Sequence, residues 1–368
     1  MNAYIKLSEF LTEYTERNID NQYRPVAVGR YGIRSRESIY SKELAKDYSK
    51  NKVIFQNTLT VGMGSVQIDI GILTEDVKYS VSPAYHTYKI TGIDPDYLRY
   101  CLECRNQDMF ERYVKRGSRQ GKTIDLGRWL TYEIPVCDEQ KEIVKKLDFA
   151  ESLIIARREQ LAKLDELVKA RFVEMFGDPK YNKSNLVKIG DIGVLTSGGT
   201  PSRAKPEYFE GDIRWYSAGE LNSLYLPDSI EHISEIALQQ SSAKLFNKGT
   251  LMIGMYDTAA FKMGILTESS SSNQACANLN PKPGYNIVWL YYLFDMMKPI
   301  FLKERQGVRQ KNLSLSKIKE FEIPFAPFEL QNQFVSFVEQ TDKSKFEIQQ
   351  SLEKLETLKK ALMQKYFG

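Results

Sequence analysis

The sequence contains two copies of one pattern, about 190 residues apart, and this duplication limits the folds that the chain can adopt. The copies are most alike at their ends. Residues 161–177 and 352–368 are identical at eight of seventeen positions, and both close with Phe-Gly. The pentapeptide GILTE occurs at 71–75 and again at 264–268. Because self-similarity at a long fixed period indicates repeated structural units, we predict two halves that share one architecture.

Each half ends in a segment that is typical of a long helix. Residues 138–176 contain no proline or glycine, and their apolar side chains follow a coiled-coil spacing of four and three. The predicted seam residues are Ile143, Leu147, Ile154, Leu161, Leu164 and Val168 in the first helix, and Phe334, Val338, Ile348, Leu352, Leu355 and Leu362 in the second. At about 1.5 Å per residue, each helix is a spacer of roughly 55 Å.

Charged residues interrupt the two seams at different levels. Arg157 and Arg171 interrupt the first seam, and Lys345 and Lys359 interrupt the second. Since polar seam residues fix the register at some cost in stability, this difference favours pairing of one helix with the other. The alternative is two amphipathic helices that pack separately on their own domains.

The rest of the sequence predicts two globular domains. Both stretches mix short β-rich runs with turns and one helix near the end, so the expected fold class is α+β. We place the first domain at 1–131 and its helix at 132–177, and the second domain at 178–320 and its helix at 321–368.

Composition leaves the class of partner open. The net charge is only +4, which neither requires nor excludes nucleic acid, so the distribution of charge has to decide. No apolar run approaches the roughly 20 residues that span a bilayer, and the N-terminal residues do not resemble a signal peptide. We therefore expect a cytoplasmic protein with no membrane partner.

Positive and small polar side chains concentrate in a few loops of each half. The first-half candidates for DNA contact are Arg30, Tyr31, Arg34, Arg36, Ser82 and Tyr85. The second-half candidates are Gly199, Thr200, Ser202, Arg203, Lys205, Tyr256, Lys262, Asn273 and Gln274. Glycines permit close backbone approach, and small polar groups are suited to base edges. Each loop taken alone is better explained as solvated surface, but recurrence at matching places in both halves favours a function.

The stretch RGSRQGKT (116–123) resembles the phosphate loop of nucleotide hydrolases but does not fit it. That loop needs four residues between its glycines and a strand before them. Here three residues separate Gly117 from Gly121, and the preceding stretch DMFERYVK (108–115) predicts a helix. A Gly-x-Arg-Gln turn recurs at 307–310, and a repeated basic turn suits DNA phosphates. The predicted DNA contacts of the two turns are Arg116, Arg119, Gln120 and Lys122, and Arg305, Arg309, Gln310 and Lys311.

We predict no catalytic residue and no metal site. The sequence lacks the Asn/Asp-Pro-Pro-aromatic motif of amino-methyltransferases, and its Pro-Asp…Glu-x-Arg stretch falls short of a nuclease pattern. Two histidines and four cysteines are scattered along the chain, and Cys101 and Cys104 are explained by packing on one helix face.

Taken together, these residues resemble the DNA-specificity (S) subunit of type I restriction–modification systems. The resemblance rests on KIGDIGVLTSGGTPSR (188–203), GDIRWYSAGEL (211–221), the Ile-Pro pairs at 134–135 and 323–324, and the two repeated helices. It covers nearly the whole chain. The first half lacks Gly-Gly-Thr-Pro and resembles a different subtype of recognition domain.

The resemblance implies both a fold and a role. Each half would be a target recognition domain followed by a conserved helix, and the helices would pair as an antiparallel coiled coil with internal pseudo-two-fold symmetry. Each domain would recognise one part of an asymmetric bipartite site in double-stranded DNA. The helices would bind two methyltransferase (M) subunits, which motor-nuclease (R) subunits would join. This chain would be non-catalytic, and S-adenosylmethionine, ATP and Mg would belong to the partners.

Other functions are open at this stage. A specificity subunit of a type IIB-like enzyme, whose partner combines methylation and cleavage, would have the same features. A coiled-coil scaffold with two globular heads would show no salt-dependent affinity for DNA. A nucleotide hydrolase built on RGSRQGKT is the weakest alternative.

Overall fold

The computed structural model describes residues 3–30, 32–39, 47–117, 121–307 and 311–368, with the backbone alone at 116 and 117. The chain divides into two units. Unit 1 comprises Met1–Glu159 and Gln349–Gly368, and unit 2 comprises Gln160–Ile348. Both units combine helices and sheets, and the chain has a long C-terminal helix.

Seven α-helices occur in the described ranges. They are α1 (Pro95–Tyr113), α2 (Leu126–Trp129), α3 (Gln140–Phe176), α4 (Glu235–Gln240), α5 (Ile287–Phe301), α6 (Leu315–Glu320) and α7 (Phe328–Phe367). The long helices α3 and α7 agree with the helices predicted from the four-three spacing. The helix predicted for 108–115 ends earlier, because α1 stops at Tyr113 and a strand begins at Val114.

The strands of unit 1 are β1 (Ala3–Lys6), β2 (Leu11–Glu13), β3 (Val26–Gly29), β4 (Gly32–Ser35), β5 (Lys52–Ile54), β6 (Thr58–Met63), β7 (Ile68–Leu73), β8 (Tyr79–Val81), β9 (His86–Ile90), β10 (Val114–Gly117), β11 (Gly121–Ile124) and β12 (Glu133–Val136). The central sheet has the order β2-β9-β6-β7 and is antiparallel throughout. Two-stranded pairs β1–β12, β3–β4, β5–β8 and β10–β11 surround it.

The strands of unit 2 are β13 (Leu186–Lys188), β14 (Gly193–Ser197), β15 (Ile213–Tyr216), β16 (Glu231–Ile233), β17 (Leu251–Gly254), β18 (Met263–Ile265), β19 (Ser271–Ser272), β20 (Cys276–Pro281) and β21 (Glu322–Pro324). The central sheet has the order β14-β20-β17-β18. A second sheet has the order β16-β15-β19, and β13 pairs with β21.

The topology repeats as the sequence does. Corresponding strands take corresponding places in the two central sheets, with β6 and β17 each third in the order. The hairpin β3–β4 corresponds to the hairpin β15–β16, because the first strand of each has a parallel neighbour later in the chain. β15 pairs in parallel with β19, and Pro25, just before β3, makes a parallel bridge to Ser80 of β8. The connection between these hairpin strands differs in length, with 30–31 in unit 1 and 217–230 in unit 2.

Each unit has its own hydrophobic core between the central sheet and one helix. In unit 1, α1 buries Leu98 and Cys101 against Leu59 and Val61 of β6. In unit 2, α5 buries residues of the same kind against β17 and β20, including Leu290, Leu293, Leu251, Ile253 and Leu279. Burial of these apolar side chains is the main favourable term for each unit.

A repeated glutamine joins each long helix to the domain helix beside it. The N–H of Asp94, whose carboxylate caps α1, donates to Gln140 Oε1 at 2.8 Å. In unit 2, the N–H of Asn286, which caps α5, donates to Gln331 Oε1 at 2.8 Å. The side chain thus satisfies a backbone group at a helix start that no intrahelical bond can satisfy.

The phenylalanine before each repeated glycine also has an equivalent role in both units. Phe367 packs edge-on against Tyr97 of α1, with ring centroids 5.0 Å apart. Phe176 packs edge-on against Trp289 of α5, with centroids 5.8 Å apart. The repeated Phe-Gly ending is therefore explained by aromatic packing on a domain helix.

The two long helices run antiparallel within each unit. In unit 1, Arg158 contacts Glu356 at 2.6 Å and Glu151 lies 3.7 Å from Lys359. In unit 2, Asp165 contacts Lys345 at 2.6 Å, and the Phe172 and Phe334 rings lie 5.2 Å apart. Residue numbers along α3 rise as those along α7 fall. All twelve predicted seam residues are buried or half-buried.

We predict that Gln331→Leu destabilises the chain far more than Gln333→Leu. Gln331 is fully buried, and its Nε2 also donates to Ala326 O at 2.7 Å, so leucine leaves buried backbone groups unpaired. The expected loss is roughly 2–3 kcal/mol in the free energy of unfolding, measured by urea denaturation followed by circular dichroism.

Gln333 is the matched control because it is exposed on the same helix. Its replacement should change the free energy of unfolding by less than about 0.5 kcal/mol. Equal effects of the two substitutions would contradict the role that we assign to the buried glutamine.

Candidate nucleic-acid interface

One end of the central sheet in unit 2 collects most of the second-half candidates. Antiparallel pairing places the last residues of β14 and β17 beside the first residues of β20 and β18. The loops at this end are therefore neighbours: 198–205 after β14, 255–262 after β17, and 273–275 before β20. The strand order thus brings together segments that are far apart in the sequence.

Two glycines allow the first of these loops to pack closely. The Gly199 N–H donates to Ser272 O at 2.9 Å, and Trp215 Nε1 donates to Gly199 O at 3.0 Å. A Cβ atom on Gly199 would collide with the backbone of Ser242. Close packing, and not an unusual backbone angle, therefore requires glycine here.

The loop before β20 presents amide side chains next to this glycine loop. Thr200 Oγ1 donates to Gln274 Oε1, and Gln274 is otherwise exposed. Asn273 Oδ1 accepts from the Ala275 N–H at 3.0 Å, which fixes the turn. The predicted residues Gly199, Thr200, Asn273 and Gln274 therefore lie in one cluster.

The loop after β17 carries a second group of predicted residues. Tyr256 is 40% exposed, and the adjacent Asp257 N–H donates to Asn312 Oδ1 at 3.0 Å. Arg305 is tied to this loop through its guanidinium, which donates to Asp257 O at 3.4 Å. Lys262 Nζ donates to Gly219 O at 3.4 Å, whereas Lys311 is exposed.

Arg203 is held by an ion pair with Glu231. Its two terminal nitrogens contact the carboxylate at 2.5 and 2.7 Å, and the guanidinium lies 4.2 Å from the Phe209 ring centroid. The hydrogen bond raises the pKa of Arg203 and lowers the pKa of Glu231. Nearby, Lys205 Nζ donates to the Tyr208 hydroxyl at 2.9 Å, and Ser202 is exposed. Arg203 thus fastens the glycine loop to β16.

In unit 1, the predicted arginines surround a groove. Arg30 lies at the β3–β4 turn, Arg34 lies in β4, and Arg36 begins the short helical turn that follows. The groove has a volume of about 1350 Å³, and these three arginines and Arg24 line it together with residues of β7 and α1. The described part of unit 1 therefore offers a concave surface lined by several guanidinium groups and also by the carboxylates of Glu37, Glu75, Glu103 and Glu151.

Ser82 and Tyr85 lie in the loop between β8 and β9 but face different surroundings. Ser82 O accepts from the Tyr85 N–H at 3.1 Å, which forms a turn. Tyr85 is half-buried, and its hydroxyl donates to Val28 O at 2.8 Å. Tyr85, which the sequence assigned to DNA contact, thus donates its hydroxyl to the protein backbone.

The Gly-Lys-Thr stretch lies in a hairpin. Residues 121–124 form β11, which pairs with β10 in an antiparallel register. Lys122 Nζ donates to Ser65 O in the β6–β7 turn and lies 5.0 Å from the Phe110 ring centroid. A phosphate loop leads from a strand into a helix, so this geometry does not match one.

Several predicted residues cannot be placed. Tyr31, Arg119, Gln120, Arg309 and Gln310 lie outside the described residues. For Arg116, only its backbone position in β10 is described.

Ionisable clusters for metal binding are not found in the described ranges. No group of three or more His, Cys, Asp or Glu side chains there could hold a metal ion. Cys101 is fully buried, and this burial raises the pKa of its thiol to about 12. The same part of the chain contains no helix of the length and apolarity that a bilayer span requires.

Two basic residues of these surfaces were missed from the sequence. Lys244 Nζ donates to Ser197 O at 3.0 Å, at the end of the unit 2 sheet where the candidate loops meet. Arg24 lines the unit 1 groove. Neither belongs to a repeated or glycine-containing motif, and only the strand pairing brings them to these places.

Comparison with known families and proteins agrees with this organisation. Residues 181–360 match the family described as the type I restriction modification DNA specificity domain. The chain is 30% identical over 185 residues to the type I restriction enzyme MjaIX specificity subunit of Methanocaldococcus jannaschii. It is 24% identical over 160 residues to the type I restriction enzyme EcoR124I/EcoR124II specificity subunit of Escherichia coli. These matches cover 48% and 42% of this chain but only 43% and 40% of the two relatives.

Solved structures share the fold over the full length. A chain from a structure of the type I R-M system, described by its complex assembly and conformational transition, has a TM-score of 0.61 at 16% identity and covers 99% of this chain and 97% of its own length. The type I restriction-modification S subunit from M. genitalium has a TM-score of 0.57 at 15% identity, with 100% and 96% covered. The family match, the two relatives and the shared fold agree with one another, and the chain is similar to the specificity subunits of type I restriction–modification systems.

Proposed function

We propose that this chain binds double-stranded DNA and sets the sequence specificity of a type I restriction–modification complex in the cytoplasm. The observation that carries the proposal is the loop cluster at one end of the unit 2 sheet, which lies within the matched residues 181–360. Its exposed amide and hydroxyl groups have the chemistry that distinguishes base edges, and its lysines and arginines suit phosphates. The chain itself supplies recognition and no catalytic group.

The two units recognise different half-sites. Their sheets have the same order, but the surfaces at the β3–β4 and β15–β16 hairpins differ in both length and charge. Unit 1 presents arginines along a groove, whereas unit 2 presents the Gly-Gly-Thr-Pro loop with Asn273 and Gln274. Two unlike readers in one chain predict an asymmetric, bipartite recognition site.

The long helices α3 and α7 pair as an antiparallel coiled coil that spaces the readers. The ion pairs Arg158–Glu356 and Asp165–Lys345 support this pairing, as does the burial of the seam residues. A helix of 37 residues is about 55 Å long, more than the roughly 34–36 Å of one DNA turn.

Two methyltransferase subunits bind the long helices, and motor-nuclease subunits join that complex. Exposed apolar side chains support two equivalent docking surfaces, because they recur at positions that the repeat relates. Ile155 and Phe346 are 50% and 65% exposed, and Leu167 and Leu358 are 48% and 50% exposed. S-adenosylmethionine, ATP and Mg are bound by these partners.

The proposal predicts a gapped, asymmetric methylation motif. The chain is co-expressed with the methyltransferase subunit of its own system in a host that lacks the system, and modified adenines are mapped by long-read sequencing. Exchange of residues 1–131 for another recognition domain should change one half of the motif and leave the other half intact. If the partner is soluble and binds the chain but no motif appears, the DNA-specificity function is wrong.

We predict that charge reversals at Arg158 and Glu356 are coupled. Arg158→Glu and Glu356→Arg should each lower stability by about 0.5 kcal/mol, and the double variant should recover most of the loss. The measurement is a double-mutant cycle on urea unfolding at low salt. Glu353, exposed one turn away on the same helix, gives the control cycle with Arg158. Equal coupling in both cycles would argue against the proposed register.

We predict that Lys311→Ala weakens binding of the methyltransferase complex to all duplexes alike. Its exposed ammonium at the candidate surface neutralises one phosphate, so the slope of log K against log salt should fall by about 0.9. The control is Lys248→Ala, an exposed lysine that precedes β17 at the opposite end of the sheet. A change in the preferred sequence would instead assign Lys311 to base contact.

A further inference from the structure

The arginine hairpin β3–β4 needs support from outside itself. Its strands, Val26–Gly29 and Gly32–Ser35, are four residues each and form a two-stranded sheet, which a single parallel bridge from Pro25 to Ser80 links to β8. An isolated two-stranded hairpin is marginally stable in water. The geometry with which Arg30 and Arg34 are presented therefore depends on what holds the inner face of the hairpin.

Tyr85 supplies a polar contact to that inner face. Its hydroxyl donates to Val28 O at 2.8 Å, in the middle of β3. Its ring lies directly over Gly62 of β6, where a Cβ atom would overlap the ring carbons. The tyrosine thus spans from the central sheet to the backbone of the hairpin, and the absence of a side chain at Gly62 makes room for it.

Lys52 in turn holds the segment that carries Tyr85. Lys52 is only 8% exposed, and its Nζ donates to Tyr85 O at 2.6 Å. Burial lowers the pKa of Lys52, with the positive charge of Arg17 acting in the same direction and the carboxylate of Glu13 opposing it. A buried ammonium is costly unless its hydrogen bonds are used, which indicates that this lysine has a specific structural task.

A second glycine completes the seat of the hairpin. A Cβ atom on Gly71 of β7 would lie 2.6 Å from Ile33 Cγ1 and 3.0 Å from Val28 Cγ1. The apolar side of the hairpin therefore rests against bare backbone of the central sheet, packed with Ile54, Leu73 and Val81. The hairpin is thus held against the sheet by apolar packing and by the Tyr85 hydrogen bond to Val28 O.

We infer that Lys52 and Tyr85 are positioning residues, which aim the arginines of the β3–β4 hairpin at the half-site recognised by unit 1. The inference rests on the proposed DNA-specificity function. It also reassigns Tyr85, because the sequence alone marked it as a DNA contact. Recognition depends on groups held in place by their neighbours, so a loosened hairpin should lose discrimination before the fold is lost.

The test compares Tyr85→Phe with Tyr97→Phe in the complex with the methyltransferase subunit. Tyr97 is the matched control, since its hydroxyl also donates to a backbone carbonyl of unit 1, Pro135 O at 3.0 Å, away from the hairpin. The probes are duplexes that carry the motif methylated by the wild-type complex. Two further duplexes serve as comparisons: one has altered bases in the first half of the motif, and the other has altered bases in the second half. The half read by unit 1 is the one that changes on exchange of residues 1–131.

Discrimination is the ratio of the affinities for the intact and the altered duplex. Tyr85→Phe should reduce this ratio about tenfold at the unit 1 half-site and leave it unchanged at the other half-site. A tenfold change is within the range expected for the loss of one base-pair preference. Amide hydrogen exchange in residues 26–30 and 32–35 should become faster in this variant than in Tyr97→Phe. Lys52→Met, which keeps the length of the side chain, should have the same selective effect. Its result decides the test if Tyr85→Phe does not fold.

Two results would overturn the inference. If Tyr85→Phe and Tyr97→Phe behave alike, or if both half-sites lose discrimination together, Tyr85 is a general core residue. The affinity of the wild-type complex for the same duplexes distinguishes this outcome from a failure of the proposed function. If the wild type reads no motif at all, the DNA-specificity function fails and the positioning role fails with it.

Discussion

The hydrogen bond between a glutamine of each long helix and the backbone at the start of a domain helix is the contact on which the architecture depends. Gln140 binds the Asp94 N–H and Gln331 binds the Asn286 N–H, both at 2.8 Å. A helix start has backbone donors that no intrahelical acceptor can reach, so an amide oxygen from a neighbouring helix fixes the angle between the two. Once that angle is fixed, the sheet packed on the domain helix and the loops at its end are oriented with respect to the long helix.

Duplication of this scaffold separates the demands of folding from those of the proposed recognition. The repeated residues include those that build the junction: the glutamines, the Phe-Gly endings and the buried face of each long helix. The residues that differ lie in the hairpins and in the loops at the sheet ends. Because the junction does not use those loops, they can change in length and charge without loss of the core. The same physical division explains why two halves of one chain can have one topology and unlike surfaces.

Local patterns in the sequence predicted the long helices and the duplication, since both depend on residues close together or on direct self-comparison. The seam residues Leu147 and Val338 are buried as their spacing indicates. The partners of the polar site residues could not be predicted in this way. Tyr85 meets Val28, Lys122 meets Ser65 and Arg203 meets Glu231 only because of the tertiary fold. The domain boundaries at 131, 177 and 320 stay predictions. The structure groups the last residues of the chain with the first unit, which no local pattern reveals.

The ion pair of Arg203 has a further consequence for recognition. Both of its side chains are largely exposed, at 57% and 41%, and exposed pairs of this kind contribute only about 0.2–1 kcal/mol. Under the proposed DNA-specificity function, a DNA phosphate or a guanine edge would therefore replace Glu231 at small cost. The stacking of the guanidinium on Phe209 and its approach to Trp215 do not depend on the carboxylate, so they keep the group in place during such an exchange. Under that function, Arg203 would exchange an exposed ion pair for a DNA contact on a side chain that is already ordered, which would limit the conformational entropy lost on association.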